Sequence, residues 1–434
     1  RAGRVHYPGT YAAGVYNRLV DDVSGTEIDH ERMVNLPNWL ALTFRIDDGS
    51  WFDIDAVDVL SCRQTLDLRS AILTREVRFC DAAGDRLGEL VCDDDAAALL
   101  LALASQSPYL TAPLVREPAR LRALALDPFL RREKGAATMR AELARVLDGS
   151  ELLAGLRAYR NAEYLRLGAR ELGFGPAEEV ARELAHLADV TLDAALARVH
   201  AELAARHGEP RTADGRPCRF VVFGMGKLGG EELNFSSDID LVYLYETDDG
   251  AAGALSLHEL FAKLCERVTR AIGEVGDEGF VFRVDLRLRP EGTRGPVCNS
   301  VGAAERYYES FGRPWERQAW VKARAVAGDL ALGAEALARL SPFVWPRTAG
   351  GDVIRAVHEL MARMRAEKAR EQNVRDVKLG PGGIREVEFF TQALQLVHGG
   401  RDAGLRERGT LYALDRLRTA GIVSEREHRA LADA

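Results

Sequence analysis

At 434 residues the chain is long enough for two or three domains with ample cores. An apolar fraction of 47% with 29% charged residues fits a soluble globular protein, and a net charge of −8 argues against a broad nucleic-acid footprint. The most apolar stretch, Ala96–Ala104, falls short of the roughly 18–20 residues of a membrane-spanning helix. No signal peptide is visible, and a start at Arg1 rather than Met reads as a fragment or a processed chain. Six scattered cysteines without a C-x-x-C pair read as reduced residues of a cytoplasmic protein, and nine histidines form no metal-spaced cluster.

Residues 1–92 carry short β-type runs separated by turn residues. Leu42–Ile46 and Trp51–Ile54 flank Asp47-Asp48-Gly49, and Leu73–Phe79 alternates apolar and polar residues before a turn at Asp81–Asp85. The strings HYPGTYAAGVYNRLVDDVSG, MVNLPNWLALTFRIDDGSWFD and QTLDLRSAILTREVRF resemble the N-terminal β-sandwich of glycoside hydrolase family 65. That resemblance implies a truncated sandwich fragment. The family's catalytic barrel has no counterpart, so it implies an accessory module at most.

From Asp93 to about residue 207 the text is mostly helical, beginning with three aspartates before an apolar run, as suits a helix N-terminus. Leu152, Leu153, Leu156, Tyr159, Tyr164 and Leu167 recur near helical spacing and make a core-facing stripe. Arg157, Arg160 and Arg166 lie between them and read as a solvated face.

A polar link at 208–217 leads into the most informative stretch. Phe220–Phe223 reads as a strand, Gly224–Gly230 as a glycine-rich turn and Ile239–Tyr245 as a second strand. Period-two alternation sends Asp238 and Asp240 to one side and Ile239 and Leu241 to the other, into a core. Two carboxylates on one strand face suit divalent cations and phosphate chemistry. The plain alternative is a solvated loop or a helix cap. Gly224-Met225-Gly226-Lys227-Leu228-Gly229 also matches the dinucleotide pattern G-x-G-x-x-G, but too few residues precede Asp238 for a crossover helix.

Beyond Tyr245 an acidic loop precedes a helix through Leu257–Ile272. Gly279–Pro290 reads as the next strand, with Arg283, Asp285, Arg287 and Arg289 on one face, an arrangement that also suits a plain ion-pair ladder. Gly312–Arg324 reads as helix, with Trp315 and Trp320 in the core and Lys322 and Arg324 near an anion site. Val353–Arg370 reads as a charged helix, and the glycine-rich run from Lys378 to Gly383 enters another.

The string GMGKLGGEELNFSSDIDLVYLYE, together with KLGPGGIREVEFF, resembles the N-terminal half of the bifunctional glutamine synthetase adenylyltransferase/adenylyl-removing family. The resemblance runs from about residue 93 to the end. It implies an α+β chain: a polymerase-β-like nucleotidyltransferase domain at 208–335, flanked by helical regions at 93–207 and 336–434, after the β-rich fragment at 1–92. It also implies a third metal carboxylate at Asp285, so that Asp238, Asp240 and Asp285 hold Mg²⁺ and are catalytic. Gly226, Lys227 and Ser237 then stand where the family's turn cradles phosphate, and Arg287 and Arg289 become candidates to grip phosphate oxygens. The implied activity is removal of AMP from adenylylated glutamine synthetase by phosphorolysis to ADP, with phosphate and an adenine nucleotide as small partners and a PII signal protein as a further one. The competing class is an inactive or regulatory binding module of the same fold.

Overall fold

The computed structural model describes residues 10–23, 26–36, 58–67, 72–80, 99, 102–117, 119–276, 278–347, 355 and 383–432. The expected strands at Leu42–Ile46 and Trp51–Ile54, the turn at Asp81–Asp85, most of the expected helix at Val353–Arg370 and the run Lys378–Gly382 lie outside them. The chain divides into two compact units, Arg1–Asp127 and Pro128–Ala434.

The first unit contains two antiparallel pairs. β1 (Thr10–Val23) pairs with β2 (Thr26–Leu36), and β3 (Asp58–Asp67) with β4 (Ile72–Cys80). β4 contains the alternating run Leu73–Phe79. Among the described residues that follow are helical positions at 102–106 and the short helices α1 (Pro108–Arg116), capped by Ser107, and α2 (Ala119–Ala125).

The second unit begins with α3 (Ala136–Leu147), α4 (Leu152–Ala169) and the long α5 (Ala177–His207). Glu178 and Glu179 lie in the first turn of α5, Arg206 and His207 in the last, matching the helix dipole at both ends. The stripe expected on α4 is inside: Leu156, Tyr159, Tyr164 and Leu167 are buried. Arg160 and Arg166 are buried too, contrary to the expected solvated face. Arg160 lies over the Tyr164 ring and donates to the Val281 carbonyl at 3.2 Å, while carboxylates of its own helix and of α5 hold Arg166. Arg166 pairs with Glu163 at 2.8 Å and with Glu183 at 2.8 Å, and Lys134 reaches Glu163 at 2.7 Å.

After β5 (Arg211–Thr212) come the central strands. β6 (Phe220–Gly224) leads into the single turn α6 (Gly226–Gly229) and then β7 (Ile239–Tyr245), within a residue of the bounds read from sequence. β8 (Gly250–Ala252) and β9 (Leu255–Ser256) join β5 in a small sheet, and α7 (Leu257–Gly273) follows with a Ser256/Glu259 capping box. Then come β10 (Val284–Asp285), β11 (Cys298–Ser300), α8 (Val301–Phe311), α9 (Pro314–Trp320), β12 (Arg324–Gly328) and α10 (Leu330–Val344). The described C-terminal helices are α11 (Ile384–His398), α12 (Thr410–Thr419) and α13 (Glu425–Ala432).

The main sheet has the order β10-β7-β6-β12, with β11 also beside β7. β6 and β7 are antiparallel, while β10 and β11 run parallel to β7. Both faces of the sheet are covered, which is why FVVF and LVYLY are apolar throughout rather than alternating. Phe220, Val222, Ile239, Leu241, Tyr243 and Tyr245 share one core with residues of α5 and α7. Val221, Phe223, Val242 and Leu244 share the other with residues of α8, α9 and α10. The architecture is thus mixed, with helices on both sides of a central sheet.

Candidate functional site

The site lies at the N-terminal mouth of β7. Ile239 and Leu241 are fully buried, and the alternation leaves Asp238 exposed and Asp240 partly buried on the opposite side. β10 aligns its two residues with this end of β7: Val284 opposite Ile239 and Asp285 opposite Asp240. In-register neighbours share a face, so Asp240 and Asp285 sit side by side, at the roughly 4.8 Å spacing of adjacent strands. The backbone amide of Ile239 donates to the Arg283 carbonyl at 2.8 Å, which fixes that register.

The glycine turn closes on the same spot. Gly226 has φ +52°, and a Cβ there would lie 3.1 Å from Asp240 Oδ2. Lys227 Nζ donates to Asn234 Oδ1. The backbone amide of Ser237 donates to the Asn234 carbonyl at 3.2 Å, and Ser236 holds the left-handed region with φ +59°.

Two arginines face the acids. Arg283, opposite Asp238, donates from Nε to Asp238 Oδ1 and also to the Ser236 carbonyl. Arg287 chelates Asp285 with Nε at 2.8 Å from Oδ2, and its backbone amide adds a bond of 2.8 Å to Oδ1. Burial works against the charge on Asp285, but the Arg287 bonds outweigh it and hold the carboxyl below its ordinary range. The same carboxylate, with smaller contributions from Asp240 and Asp238, raises Arg287 above its ordinary value. The Arg287 side chain is 74% exposed, so its guanidinium faces solvent.

Three carboxylates are hard oxygen donors suited to Mg²⁺, and the backbone placement of Asp238, Asp240 and Asp285 suits a shared cation. The side-chain orientations make ion pairs instead: among the described residues no three acidic, histidine or cysteine side chains form a metal-holding group. Asp238 and Asp285 would exchange their arginine partners to bind one.

Several expectations are redrawn. The strand expected over Gly279–Pro290 is only Val284–Asp285, because the Val281 and Phe282 amides donate to the Ile272 carbonyl of α7 and the chain turns directly after Asp285. Arg289 is therefore not on a shared strand face. Its guanidinium braces the following loop, donating to the carbonyls of Leu286 at 2.8 Å and Pro296 at 3.1 Å. Lys322 and Arg324 are not free to meet an anion. Lys322 is buried among carboxylates, and Arg324, in a strand rather than a helix, pairs with Asp189 at 2.6 Å. Trp320 is core, while Trp315 is 37% exposed. Arg283 was legible by its period-two spacing from Asp285, but its partnership with Asp238 needed the register.

The sequence has counterparts among known proteins. Residues 97–339, more than half of the chain, match the family model for glutamate-ammonia ligase adenylyltransferase. The chain belongs to that family of nucleotidyltransferases. Among individual proteins, it is similar to the bifunctional glutamine synthetase adenylyltransferase/adenylyl-removing enzyme of Thioalkalivibrio sulfidiphilus, with 45% identity over 70% of this chain and 32% of the relative. The protein of the same name from Stenotrophomonas maltophilia is 43% identical over 82% of this chain and 38% of its own length. That of Nitrosococcus oceani is 43% identical over 66% and 30%. The chain thus spans about a third of the length of these relatives. Residues 1–88 match the N-terminal domain of glycosyl hydrolase family 65, and residues 358–434 match a PII-uridylyltransferase model.

Proposed function

We propose that this chain is a Mg²⁺-dependent nucleotidyltransferase that removes AMP from an adenylylated tyrosine of glutamine synthetase by phosphorolysis. The observation that carries the reading is the in-register pairing of Asp240 with Asp285, beside Asp238 and the Gly226 turn. The family match and the names of the relatives supply the substrate class. The reading includes a polymerase-β-like fold at 208–335, helical regions at 93–207 and 336–434, a sandwich fragment at 1–92 and a cytoplasmic location. It also includes a PII-type protein as a regulatory partner.

In the reaction an oxygen of inorganic phosphate forms a bond to the AMP phosphorus while the bond to the tyrosyl oxygen breaks. The tyrosyl oxygen takes up a proton and ADP leaves. Mg²⁺ held by Asp238, Asp240 and Asp285 would neutralise phosphate charge and activate the attacking oxygen. Arg287 offers a planar fork to phosphate oxygens once it leaves Asp285. Gly226 and Lys227 lie in the turn and Ser237 stands just before Asp238, the positions this reading gives to phosphate, with the Gly226 backbone open to an anion for want of a side chain.

A second reading is favoured by the arginine pairs on Asp238 and Asp285: a nucleotidyltransferase-like module that binds glutamine synthetase without turning it over. One experiment separates the two. The chain is incubated with adenylylated glutamine synthetase, phosphate and Mg²⁺, and ADP is measured. The first reading expects ADP, and its loss in a normally folded Asp238→Asn variant. Binding without ADP formation supports the second reading, and full phosphorolysis by Asp238→Asn removes the central assignment.

A further inference from the structure

Lys322 lies just before β12, and its side chain is 3% exposed. Its Nζ donates to Glu232 Oε2 at 2.7 Å, to Glu388 Oε1 at 2.9 Å and to Thr410 Oγ1 at 2.8 Å. The three partners come from three places: the segment after the glycine turn, α11 and the start of α12. Glu232 also accepts from Thr410 Oγ1 at 2.9 Å and from its backbone amide. A buried ammonium needs such partners, since uncompensated charge away from water is costly.

The same residue touches the turn a second way. A Cβ on Gly229 would lie 2.0 Å from the Lys322 carbonyl oxygen, so the two backbones are in direct contact. The Glu232 backbone amide donates to the Lys227 carbonyl at 2.9 Å, which passes the position of Glu232 on to the turn. A cavity of about 900 Å³, lined by Lys227, Glu232, Asn234, Val387, Glu388 and Thr410, lies beside this knot. The turn is therefore joined to α11 and α12 largely by polar contacts around open space, and these can be broken one at a time.

We propose that Lys322 is a positioning residue that ties the Gly226–Glu232 turn to α11 and α12, so that the C-terminal helices set the geometry of the turn. The proposal rests on the reading of that turn as phosphate-facing. It gives those helices a role in turnover: a partner or ligand that shifts α11 or α12 shifts the phosphate site through Glu388, Thr410 and Lys322.

The test uses the full chain with Glu388→Gln and, separately, Thr410→Val, which leaves the charge balance intact. Amide hydrogen exchange across 226–232 is expected to rise at least tenfold in each, with β6 and β7 unchanged. In the phosphorolysis assay the KM for phosphate is expected to rise several-fold with kcat within twofold, and Lys322→Arg to recover more than Lys322→Met. Unchanged exchange in the turn, or a rise spread evenly over the sheet, overturns the proposal. The exchange readout does not need turnover, so a wild-type chain that makes no ADP sinks the functional reading alone.

Discussion

Gly226 shows how narrowly a single position is fixed. Its φ of +52° disfavours any residue with a Cβ, by about 1–2 kcal/mol, and the added methyl would press on Asp240 Oδ2 at 3.1 Å. Gly226→Ala should therefore lower the thermal midpoint modestly and reduce ADP formation far more, as calorimetry and the phosphorolysis assay on one preparation will check. A variant that melts lower but keeps full turnover would detach this residue from the site. The pattern around Asp238 and Asp240 was legible because period-two alternation needs only strand geometry. The partners of Lys322 were not: they come from positions 232, 388 and 410, and local spacing says nothing about which distant carboxylates meet a lysine. Arg160 and Arg166 misled for the same reason, since the Val281 carbonyl that Arg160 meets and the Glu183 carboxylate that Arg166 meets both lie on other segments.

At the scale of elements, β6 and β7 were readable because continuous apolar runs bounded by turn signals mark central strands. β10 was not, because an alternating Arg/Asp pattern continues past the point where the chain leaves the sheet. The helix α7 was also readable, and its start explains why. Ser256 Oγ accepts from the Glu259 backbone amide at 3.2 Å, and Glu259 Oε2 accepts from the Ser256 amide at 2.9 Å. Ser256→Ala should cost about 1 kcal/mol of stability. Because the cap lies on the exposed end of a helix that backs the sheet, kcat/KM should not change. A chemical-denaturation midpoint measured beside the ADP assay tests both halves.

For the molecule as a whole, the second unit carries a buried ionic cluster outside the site. Glu183 is fully buried, accepts from the Lys134 backbone amide at 2.8 Å and pairs with Arg166 and Arg170, each at 2.8 Å. Removing one member strands the others, so Glu183→Ala should destabilise this unit by about 3–5 kcal/mol, read by denaturant unfolding followed through the helical signal. Replacement of Glu183, Arg166 and Arg170 together by apolar residues of similar volume should recover much of that loss. A different consequence follows from the edge of β7. That strand has β10 at its first two positions and β11 at its last three, so the backbone departs after Asp285 and returns at Cys298. Residues 286–297 form a cassette hung between two anchored ends, with Arg287 at its head. Leu286 and Val297 pin the cassette to one core and Leu288 to the other, so a change of its length should loosen Arg287 first and leave the β6–β7 pairing intact, as amide exchange on those strands will check.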